Sequence, residues 1–449
     1  GRIVLVGVVG LELSRADFFA KELTFQVSCS YGPGRYDADY EEKGHDYPVG
    51  FVRWTEQRNF EAILDLMASG VIDVKSLISH RYAIDDALEA YKQLDDKSSL
   101  GILLSYGAAN PKALENRTVS LNTPVQYDSK AAVCGFIGAG NYASRVLIPA
   151  FKAVGAKLDT IITSGGVSAV HHGKKNDFVT AATDISVLYN DSPVNTVVIA
   201  TQHNQHARQV CDSLNAGKHV FVEKPLALSE SEIDAIEEAY NARAGACRLM
   251  IGYNRRFAPH AVKMKALLRP VNTPKVFIMT MNAGSIPVDH WTQDPEAGGG
   301  RIIGEACHYI DLMRHLAGSP ITGFTATMMG QAPGVDVRDD KATITLTFED
   351  GSFGTIHYLA NGGKAFPKER IEVFANDAVL QLDNFRKLTG FGWKGFNKDR
   401  LMTQDKGQKA CTQAFVDAIQ AGKPTPIAFD ELIEVSRISV RVAESLRQQ

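Results

Sequence analysis

The fold of this chain is decided by the stretch Val133-Cys-Gly-Phe-Ile-Gly-Ala-Gly-Asn-Tyr-Ala143. A short apolar run, which predicts a strand, leads into a glycine-rich turn, and the apolar segment 145–154 predicts a helix. This order forms a seat for a dinucleotide diphosphate, because missing side chains let backbone N–H groups approach the phosphates. A glycine pattern alone also suits an ordinary turn, so later motifs must support it. The predicted contacts here are Gly138, Gly140, Asn141, Tyr142 and Ala143.

Composition excludes several classes of protein. At 449 residues the chain is too long for one ordinary core, so roughly two or three domains are expected. Hydrophobic residues make up 45% of the chain and charged residues 22%, as in soluble globular proteins. The net charge of −3 gives no electrostatic reason to expect a nucleic acid or an anionic membrane as partner.

Targeting and redox features favour a cytoplasmic protein. No apolar run approaches the ~20 residues that span a bilayer, and no signal peptide is recognised. The six cysteines are scattered without a C-x-x-C pair, which argues against a disulfide framework or a structural zinc site. The chain begins at Gly1, within a strand-like run, so we expect a fragment or a processed product.

Residues 1–105 have an α/β pattern but no phosphate-binding loop of their own. The run Ile3–Val9 predicts a strand, and apolar stripes predict helices around residues 60–67 and 87–94. Residues 106–130 are polar, contain two prolines and lack periodicity, so they are predicted to be a linker. The chain therefore starts with a partial α/β segment.

Strands and helices alternate from residue 131 to residue 253. Strands joined by crossover helices form a parallel sheet, and its ligand crevice lies at the carboxyl ends of the strands. We therefore predict a Rossmann dinucleotide-binding domain over 131–253. Further cofactor contacts are predicted from polar residues at those strand ends, namely Thr163, Ser164, Thr201, Gln202, His203, His206, Glu223, Lys224 and Pro225.

Beyond residue 254 the apolar pattern changes to period 2. Ile344, Leu346 and Phe348, for example, alternate with threonines, and about six or seven such strands predict an open, mostly antiparallel sheet with one face on helices. Two helices are predicted at the end of the chain, over 408–421 and 429–447. The predicted fold class is thus α/β, with a Rossmann domain followed by an α+β domain for substrate binding and oligomerisation over 254–449.

Lys224 is a candidate catalytic residue. If the bound dinucleotide is a nicotinamide cofactor, hydride transfer to or from a carbinol carbon needs a group that holds the oxygen and exchanges its proton. Lys224 follows a predicted strand end, Glu223 precedes it, and Pro225 restricts the backbone there. Its ammonium group can donate to the substrate oxygen, and burial beside the cofactor would bring its pKa toward neutrality. The alternative is a surface lysine that opens a helix.

His308 is the second candidate. If residues 302–317 form one helix, Gly304, His308 and Asp311 stand at i, i+4 and i+7, so the imidazole and the carboxylate reach the same cleft. A lone helical histidine is more often a satisfied core or capping residue. The glycine run Gly298–Gly300 just before this segment favours the catalytic interpretation.

Five motifs together resemble the glucose–fructose oxidoreductase and inositol dehydrogenase family (Gfo/Idh/MocA) over residues 131–447. They are Gly138-x-Gly140-x-x-Ala143, Val197-Val-Ile-Ala-Thr201 with His206, Glu223-Lys224-Pro225, Gly252-Tyr-Asn-Arg-Arg-Phe257, and Gly298-Gly-Gly300 followed by His308-x-x-Asp311. The resemblance implies that His308 shares proton transfer with Lys224, while Asp311 orients it or contacts a substrate hydroxyl. Many members carry an aspartate four positions before the histidine, where this chain has Gly304; Glu305 either replaces that acid or points into solvent.

The first 105 residues resemble a different family, the carboxyl-terminal part of zinc-type (medium-chain) alcohol dehydrogenases. The stretches that carry this resemblance are Ser30-Tyr-Gly-Pro-Gly-Arg-Tyr-Asp37 and Phe51-Val-Arg-Trp-Thr-Glu56. The combination resembles bacterial bi-domain oxidoreductases, which implies a role in surface polysaccharide synthesis. The segment lacks the zinc-ligand region and the first half of its nucleotide fold, so we expect it not to be an intact catalyst.

Arginines and an aromatic residue are candidate substrate contacts. Arg255 or Arg256 would grip an acidic substrate or the cofactor diphosphate, with an interdomain salt bridge as an equal alternative. Trp291 offers a ring for stacking on the nicotinamide or the sugar, and Arg301 offers a donor. Plain loop packing is the alternative for both.

Cofactor choice depends on the end of the second strand. A carboxylate there selects NAD and an arginine favours NADP, but this chain has Thr163-Ser164-Gly165-Gly166. Hydroxyls suit either cofactor, and we predict NAD, with NADP as the alternative. The pair His171-His172 is predicted to be solvated surface, because adjacent residues diverge on a helix and no third ligand is near. No metal is predicted.

These features together predict a cytoplasmic NAD(P)-dependent oxidoreductase for a hydroxyl or ketone of a sugar, sugar acid or nucleotide-linked sugar. A polyol or cyclitol dehydrogenase, or an enzyme that keeps its nicotinamide bound, is the alternative among enzymes. A catalytically silent sugar or dinucleotide sensor is the alternative of another class, which the presence of both Lys224 and His308 disfavours. We expect a homo-oligomer assembled through the second sheet.

Overall fold

The structure, a computed structural model, describes residues 1–28, 31–107, 116–190, 192–243 and 245–449. Cys29, Ser30 and residues 108–115 of the predicted linker lie outside these ranges. The chain divides into two compact units, Gly1–Leu114 and Glu115–Gln449. The candidate site lies entirely within the second unit.

The first unit contains two separate pairs of parallel strands. They are β1 (Arg2–Leu5) with β2 (Thr24–Val27), and β3 (Ile78–Ala83) with β4 (Gly101–Ser105). Its α-helices are Arg15–Phe19, Ala38–Glu41, Glu56–Ala68 and Ala87–Lys92. The predicted apolar stripes are largely exposed, and among the described residues of this unit Ala90 is the one fully buried hydrophobic residue.

The second unit begins with a seven-stranded sheet. Its strands are β5 (Thr118–Ser120), β6 (Val133–Ile137), β7 (Lys157–Ile162), β8 (Thr180–Ala182), β9 (Thr196–Ile199), β10 (His219–Val222) and β11 (Leu249–Ile251). The order across the sheet is β11-β10-β9-β6-β7-β8-β5. All neighbours are parallel except β5, which runs antiparallel to β8. This is the doubly wound order of a Rossmann domain with one added edge strand, and it confirms the predicted fold.

Strand β5 corrects part of the predicted linker. Thr118–Ser120 lies within residues 106–130, yet it pairs with Thr180–Ala182 at the edge of the sheet. Three residues are too few to show a period-2 pattern, and the pairing depends on a partner about 60 residues away. The sequence pattern could therefore not reveal this strand.

Helices cover both faces of the sheet. A π-helical turn, Ala143–Leu147, continues as the α-helix Ile148–Ala153, and the other helices are Val167–Asn176, His206–Asn215 and Glu230–Asn241. Phe136 of β6 packs edge-on against Phe151 at 5.6 Å between ring centroids, and Phe151 packs against Phe221 of β10 at 5.2 Å. Because the strand order reverses between β6 and β9, the two directions of winding diverge there and leave a crevice at the carboxyl ends of these strands.

A second, eight-stranded sheet follows. Its strands are β12 (Val276–Asn282), β13 (Ile321–Met328), β14 (Lys341–Phe348), β15 (Phe353–Leu359), β16 (Glu369–Ala375), β17 (Ala378–Asp383), β18 (Lys387–Phe391) and β19 (Lys398–Arg400). The order is β13-β14-β15-β12-β16-β17-β18-β19, and only the β12–β15 pair among these neighbours is parallel. The predicted open, mostly antiparallel sheet is confirmed, with one more strand, β19, than the pattern indicated.

One face of this sheet packs on helices. Strand β14 alternates in burial along its length, and Ile344, Leu346 and Phe348 face the core as predicted. The helices of this region are Pro259–Leu268, Cys307–Ala317, Gln408–Gln420 and Phe429–Arg447, and a π-helical turn, Ile302–Ala306, leads into the second of them. Within the described ranges, none of the helices combines the length and apolar character that crossing a membrane requires.

Candidate active site

A cleft of about 1720 Å³ opens at the carboxyl ends of β6, β7, β9 and β10, and the second sheet's domain covers it. It gathers most of the predicted site residues. Those lining it are Gly138, Gly140, Asn141, Tyr142, Ala143, Thr163, Ser164, Thr201, Gln202, His203, His206, Glu223, Lys224, Arg255, Trp291, Arg301, Glu305 and His308. Pro225, Arg256 and Asp311 do not line it, so their predicted direct contacts with ligand are corrected below.

The glycine turn forms one end of the cleft. Gly138 has a φ of +100°, and a Cβ atom at this position would lie 2.4 Å from the carbonyl oxygen of Ala200. A Cβ on Gly140 would meet nothing within 4 Å, and this residue lines the cleft. Gly138 is thus required for the turn itself, while Gly140 keeps open the space into which a diphosphate fits. The residues present therefore fit a bound dinucleotide.

Hydroxyl groups lie at the end of β7. The Ser168 hydroxyl is 3.2 Å from Thr163 Oγ1, and Thr163, Ser164, His172 and Lys175 line the cleft beside it. Of the pair His171-His172, which was predicted to be solvated surface, His171 is exposed, whereas His172 is half-buried at the cleft and its Nδ1 has no hydrogen-bond partner among the described residues. The cleft lining at this end has no carboxylate to accept two ribose hydroxyls.

His206 joins two strand ends beneath the cleft. Its Nδ1 is 2.6 Å from the Pro225 carbonyl oxygen, and its Nε2 is 3.2 Å from that of Thr201. Burial lowers the pKa of His206 to about 4, so the ring is neutral and donates to one of the two carbonyls. Pro225 is thus a backbone partner of His206 and does not line the cleft. The link holds the Glu223-Lys224-Pro225 turn in place.

Lys224 reaches across the cleft to the second domain. Its ammonium group donates to the carbonyl oxygen of Gly304 at 2.8 Å. The neighbouring Glu223 is buried, and burial raises its pKa to about 7, although Lys224 partly opposes the shift. Close by, His203 Nδ1 is 2.7 Å from the carbonyl oxygen of Gly298, and the Trp291 ring packs edge-on against His203 at 4.8 Å.

His308 lines the same cleft one helical turn after Gly304. Burial lowers its pKa well below the ordinary value, and the charges of Arg255, Lys224 and Lys406 lower it further. Its Nδ1 is buried without a hydrogen-bond partner among the described residues. The structure therefore places a neutral imidazole and an ammonium group on one cavity, which a proton exchange with a shared substrate requires.

Asp311 and Arg256 do not serve the cleft. Arg256 donates to both Asp311 oxygens, at 3.1 and 2.5 Å, and also to Glu431 at 2.8 Å. Asp311 lies three residues after His308, which places it about 60° around the helix, and the helix is buried on nearly every side. The predicted role of Asp311 in orienting His308, and of Arg256 in binding substrate, is corrected to an internal ion pair.

The other two arginines line the cleft but are also paired. Arg255 donates to Glu369 at 3.3 and 3.1 Å. Arg301 donates to Glu305 at 3.1 and 3.0 Å and to the Gly284 carbonyl oxygen at 2.5 Å. Burial would raise the pKa of Glu305, but Arg301 and Lys224 outweigh it, so its pKa lies below the ordinary value. Glu305 therefore faces the cleft as an anion.

Sequence reasoning missed two lysines of the cleft. Lys368 and Lys406 both line it, and Lys406 donates to Glu369 at 2.7 Å. Lys368 immediately precedes β16 and Lys406 immediately precedes Gly407, which forms the N-cap of a helix, and neither belongs to a motif. No signal in the sequence indicates that these two loops meet. Elsewhere within the described ranges, no three metal-binding side chains come together, and the five cysteines in these ranges are free.

Comparison with known proteins agrees with this geometry. Residues 133–253 match the family described as "GFO_IDH_MocA: Oxidoreductase family, NAD-binding Rossmann fold", and residues 273–381 match "GFO/IDH/MocA C-terminal domain". Together the two matches cover just over half of the chain.

Two relatives of this chain are named as an oxidoreductase and a dehydrogenase. The uncharacterized oxidoreductase YrbE of Bacillus subtilis is 25% identical over 335 residues, 71% of this chain and 95% of that protein. Myo-inositol 2-dehydrogenase of Thermotoga maritima is 28% identical over 209 residues, 45% of this chain and 60% of that protein.

A solved structure shares the fold. Levoglucosan dehydrogenase in complex with NADH and levoglucosan matches with a TM-score of 0.63 and 20% identity, covering 71% of this chain and 98% of that one. With the two family matches over residues 133–253 and 273–381, the chain belongs to the Gfo/Idh/MocA oxidoreductase family, with an NAD-binding Rossmann domain followed by the carboxyl-terminal domain of that family.

Proposed function

We propose that this oxidoreductase transfers hydride between NAD and a hydroxyl or keto carbon of a sugar, a sugar acid or a nucleotide-linked sugar. One observation carries the proposal: the ammonium group of Lys224 and the neutral imidazole of His308 line one cleft, next to the glycine turn. These groups suit a carbinol oxygen, because one holds the oxygen and the other exchanges its proton.

Lys224 holds the substrate oxygen. One of its three N–H groups is engaged by the Gly304 carbonyl, which leaves two for the substrate and fixes the direction of the side chain. When the ammonium group donates to the substrate oxygen, it stabilises the negative charge that develops on that oxygen as its proton leaves. Nicotinamide, when bound, supplies the hydride acceptor.

His308 takes the proton. Its ring is neutral at physiological pH, so one nitrogen is free to accept the proton from the carbinol during oxidation and to return it during reduction. Arg255, Lys224 and Lys406 lower the basicity of His308, which disfavours proton transfer to it. The same cations stabilise the substrate alkoxide, which favours loss of the proton, so the two effects oppose each other. Asp311 takes no part in this step.

The substrate class is drawn from chemistry and from relatives. Myo-inositol 2-dehydrogenase and levoglucosan dehydrogenase act, by name, on a cyclic polyol and an anhydro-sugar, which supports a polyol as the alternative substrate. A silent sensor is the alternative of another class, and the shared cleft of Lys224 and His308 speaks against it. We propose NAD as the cofactor, with NADP as the alternative because hydroxyls occupy the end of β7.

Three further parts of the proposal concern context. The segment 1–105 is proposed to derive from a zinc-type alcohol dehydrogenase, with the parallel β1–β2 and β3–β4 pairs as support. We place the protein in the cytoplasm, in surface polysaccharide synthesis.

Its assembly through the outer face of the second sheet is supported by the exposed side chains of Phe353, Phe374 and Phe391. Phe374→Lys would then lower the oligomer mass in sedimentation.

The test is formation of reduced nicotinamide with a panel of sugars, sugar acids, nucleotide sugars and inositols. We expect turnover with at least one of them, and a loss of about 10²–10⁴-fold in kcat for Lys224→Ala while NADH still binds, measured by its fluorescence. Lys152→Ala, on the outer surface of the Rossmann domain, is the matched control. NADH binding without turnover of any compound would favour the sensor.

A further inference from the structure

The substrate end of the cleft carries more cations than anions. Five basic side chains line it, namely Lys224, Arg255, Arg301, Lys368 and Lys406. The carboxylates that face them are Glu305 and Glu369, which are ionised, and Glu223, which lines the cleft beside Lys224 and whose burial raises its pKa to about 7. Burial opposes ionisation of Glu369, but Arg255 and Lys406 lower its pKa to about 2, so it is an anion at every physiological pH.

The ion pairs account for only part of this charge. Arg301 is matched by Glu305 at 3.0 Å. Arg255 and Lys406 share one carboxylate, that of Glu369, at 3.1 and 2.7 Å. Glu369 is buried and does not line the cleft, so one of these two cations is left without a counter-ion on the side that faces substrate.

Lys368 has no counter-ion among the described residues. Its side chain is exposed at the cleft and forms no ion pair or side-chain hydrogen bond with them, and partial burial, Lys406 and Arg255 lower its pKa. Glu305 and Glu369 raise the pKa of Lys368, but Glu305 is already paired with Arg301 and Glu369 with Lys406. Of the other titratable groups nearby, Glu223 acts on its neighbour Lys224, and His308 and His203 are neutral.

The cofactor diphosphate does not explain this surplus. The diphosphate seat is the turn after β6, whereas Arg255 follows β11, which lies three strands away across the sheet. Strand β11 itself lies about 14 Å from β6, at about 4.8 Å between neighbouring strands. The Arg255 guanidinium is held by Glu369 of the second domain. Lys368 and Lys406 belong to the second domain, on the substrate side.

We propose that Arg255, Lys368 and Lys406, here called the cationic cluster, bind an anionic oxygen group of the substrate. The substrate is therefore a sugar that bears a carboxylate or a phosphate, and a neutral polyol leaves the cluster unmatched. This inference rests on the proposed function, since it concerns the substrate of the same site. Charge-assisted hydrogen bonds from arginine and lysine are suited to both anions.

The experiment compares matched sugars that differ only in the anionic group: D-glucose, D-glucuronate and D-glucose 6-phosphate, with their galactose counterparts. We expect kcat/KM for one of the anionic forms to exceed that of the neutral sugar by about tenfold or more. A preference for the uronate identifies a carboxylate, and a preference for the sugar phosphate identifies a phosphate. Equal or better use of the neutral sugar would overturn the inference.

Lys368→Gln tests the cluster directly, because Lys368 has no ion pair whose loss would disturb folding. We expect kcat/KM for the anionic substrate to fall about tenfold more than kcat/KM for the neutral sugar. This fall should come mainly from a higher KM for the anionic substrate. Lys368→Arg should restore most of the difference. Lys364→Gln, an exposed lysine on the same loop that does not line the cleft, is the control. Equal losses for both substrates would contradict the role of Lys368.

Binding measurements separate this inference from the proposed function. Calorimetric titration of the NADH-loaded protein with the same six sugars needs no turnover. Tighter binding of the anionic forms that is weakened in Lys368→Gln supports the cationic cluster, whether or not any compound is oxidised. If such binding occurs and no compound is oxidised, only the proposed function fails. Binding that ignores the anionic group, together with turnover of neutral sugars, would retain the function and refute the cluster.

Discussion

Asp311 and Arg256 form a two-pronged ion pair, with Arg256 Nε 3.1 Å from Asp311 Oδ2 and Arg256 Nη2 2.5 Å from Asp311 Oδ1. Both side chains are buried, and Glu431 provides a third contact at 2.8 Å. The pair joins the loop after β11 to the helix that carries His308, and through Glu431 to the helix Phe429–Arg447. It therefore positions the active-site helix and does not face the substrate.

Asp311→Ala should lower the free energy of unfolding, because it leaves Arg256 buried with one partner fewer. Removing one member of a buried pair typically costs about 3–5 kcal/mol, and the remaining contact with Glu431 places our expectation at the lower end. Denaturant unfolding measures the loss. Arg370→Ala, which breaks a more exposed pair with Asp383, should cost no more than about 1 kcal/mol. A fully stable Asp311→Ala variant that has lost activity would instead restore the catalytic interpretation.

Two glycines of the turn should respond differently to alanine. Gly138→Ala forces a Cβ to within 2.4 Å of a backbone oxygen at a positive φ, so the free protein should lose stability by about 1–3 kcal/mol. Gly140→Ala meets nothing within 4 Å, so the melting temperature without cofactor should stay close to that of the parent protein. The Kd for NADH should rise in Gly140→Ala, because its Cβ occupies space above the turn. An unchanged Kd would place the diphosphate elsewhere.

His308→Ala should lower kcat by about 10²–10⁴-fold with little change in NADH binding. His290→Ala, an exposed histidine that does not line the cleft, is the control. Because the pKa of His308 lies well below 6.5, the base is already deprotonated between about pH 6 and pH 8, and oxidation should lose rate through this group only at lower pH. A titration of His308 near neutrality, followed by NMR, would contradict this assignment.

Glu223 should make stability depend on pH. Its folded pKa, about 7, is above the ordinary value of 4.5, so between these values the native state binds more protons than the unfolded state, and this contribution lowers stability as pH rises. Glu223→Gln should therefore be the more stable protein above pH 7, by up to about 3 kcal/mol, and the difference should shrink toward pH 4.5. Denaturation of both proteins across this range measures it; a difference that does not vary with pH would show that Glu223 does not titrate there.

Long periodic elements could be predicted from the sequence, and most short ones could not. The strands β6, β9 and β10 are continuous apolar runs, and β14 alternates strictly between apolar and polar residues. Each of these patterns indicates its strand without information from the rest of the chain. Strand β11 also has three residues, but they are all apolar and lie within the predicted alternation of strands and helices. Strands β5, β8 and β19 have three residues each and show no such apolar run. Such a strand exists because a distant edge supplies its hydrogen bonds, and that edge is not visible locally.

The candidate site was predictable where backbone geometry carries the role. Gly138, Gly140, Lys224 and His308 follow or begin regular elements, so their approach to one crevice follows from topology. Asp311 has the spacing of a site residue, but its direction depends on Arg256, which lies 55 positions earlier. Spacing places a residue on a helix, whereas the charge that it meets is decided by packing.

The sequence by itself determined a parallel nucleotide-binding sheet with a glycine turn, an amine at one strand end and an imidazole on a later helix, because periodicity, steric freedom at glycine and chain order are local properties. Only the tertiary structure decided that Asp311 is an internal partner of Arg256 and that Lys368 and Lys406 join Arg255 in the cleft. The physical reason is that electrostatic pairing acts through space, and segments far apart in the chain must first fold together before their charges meet.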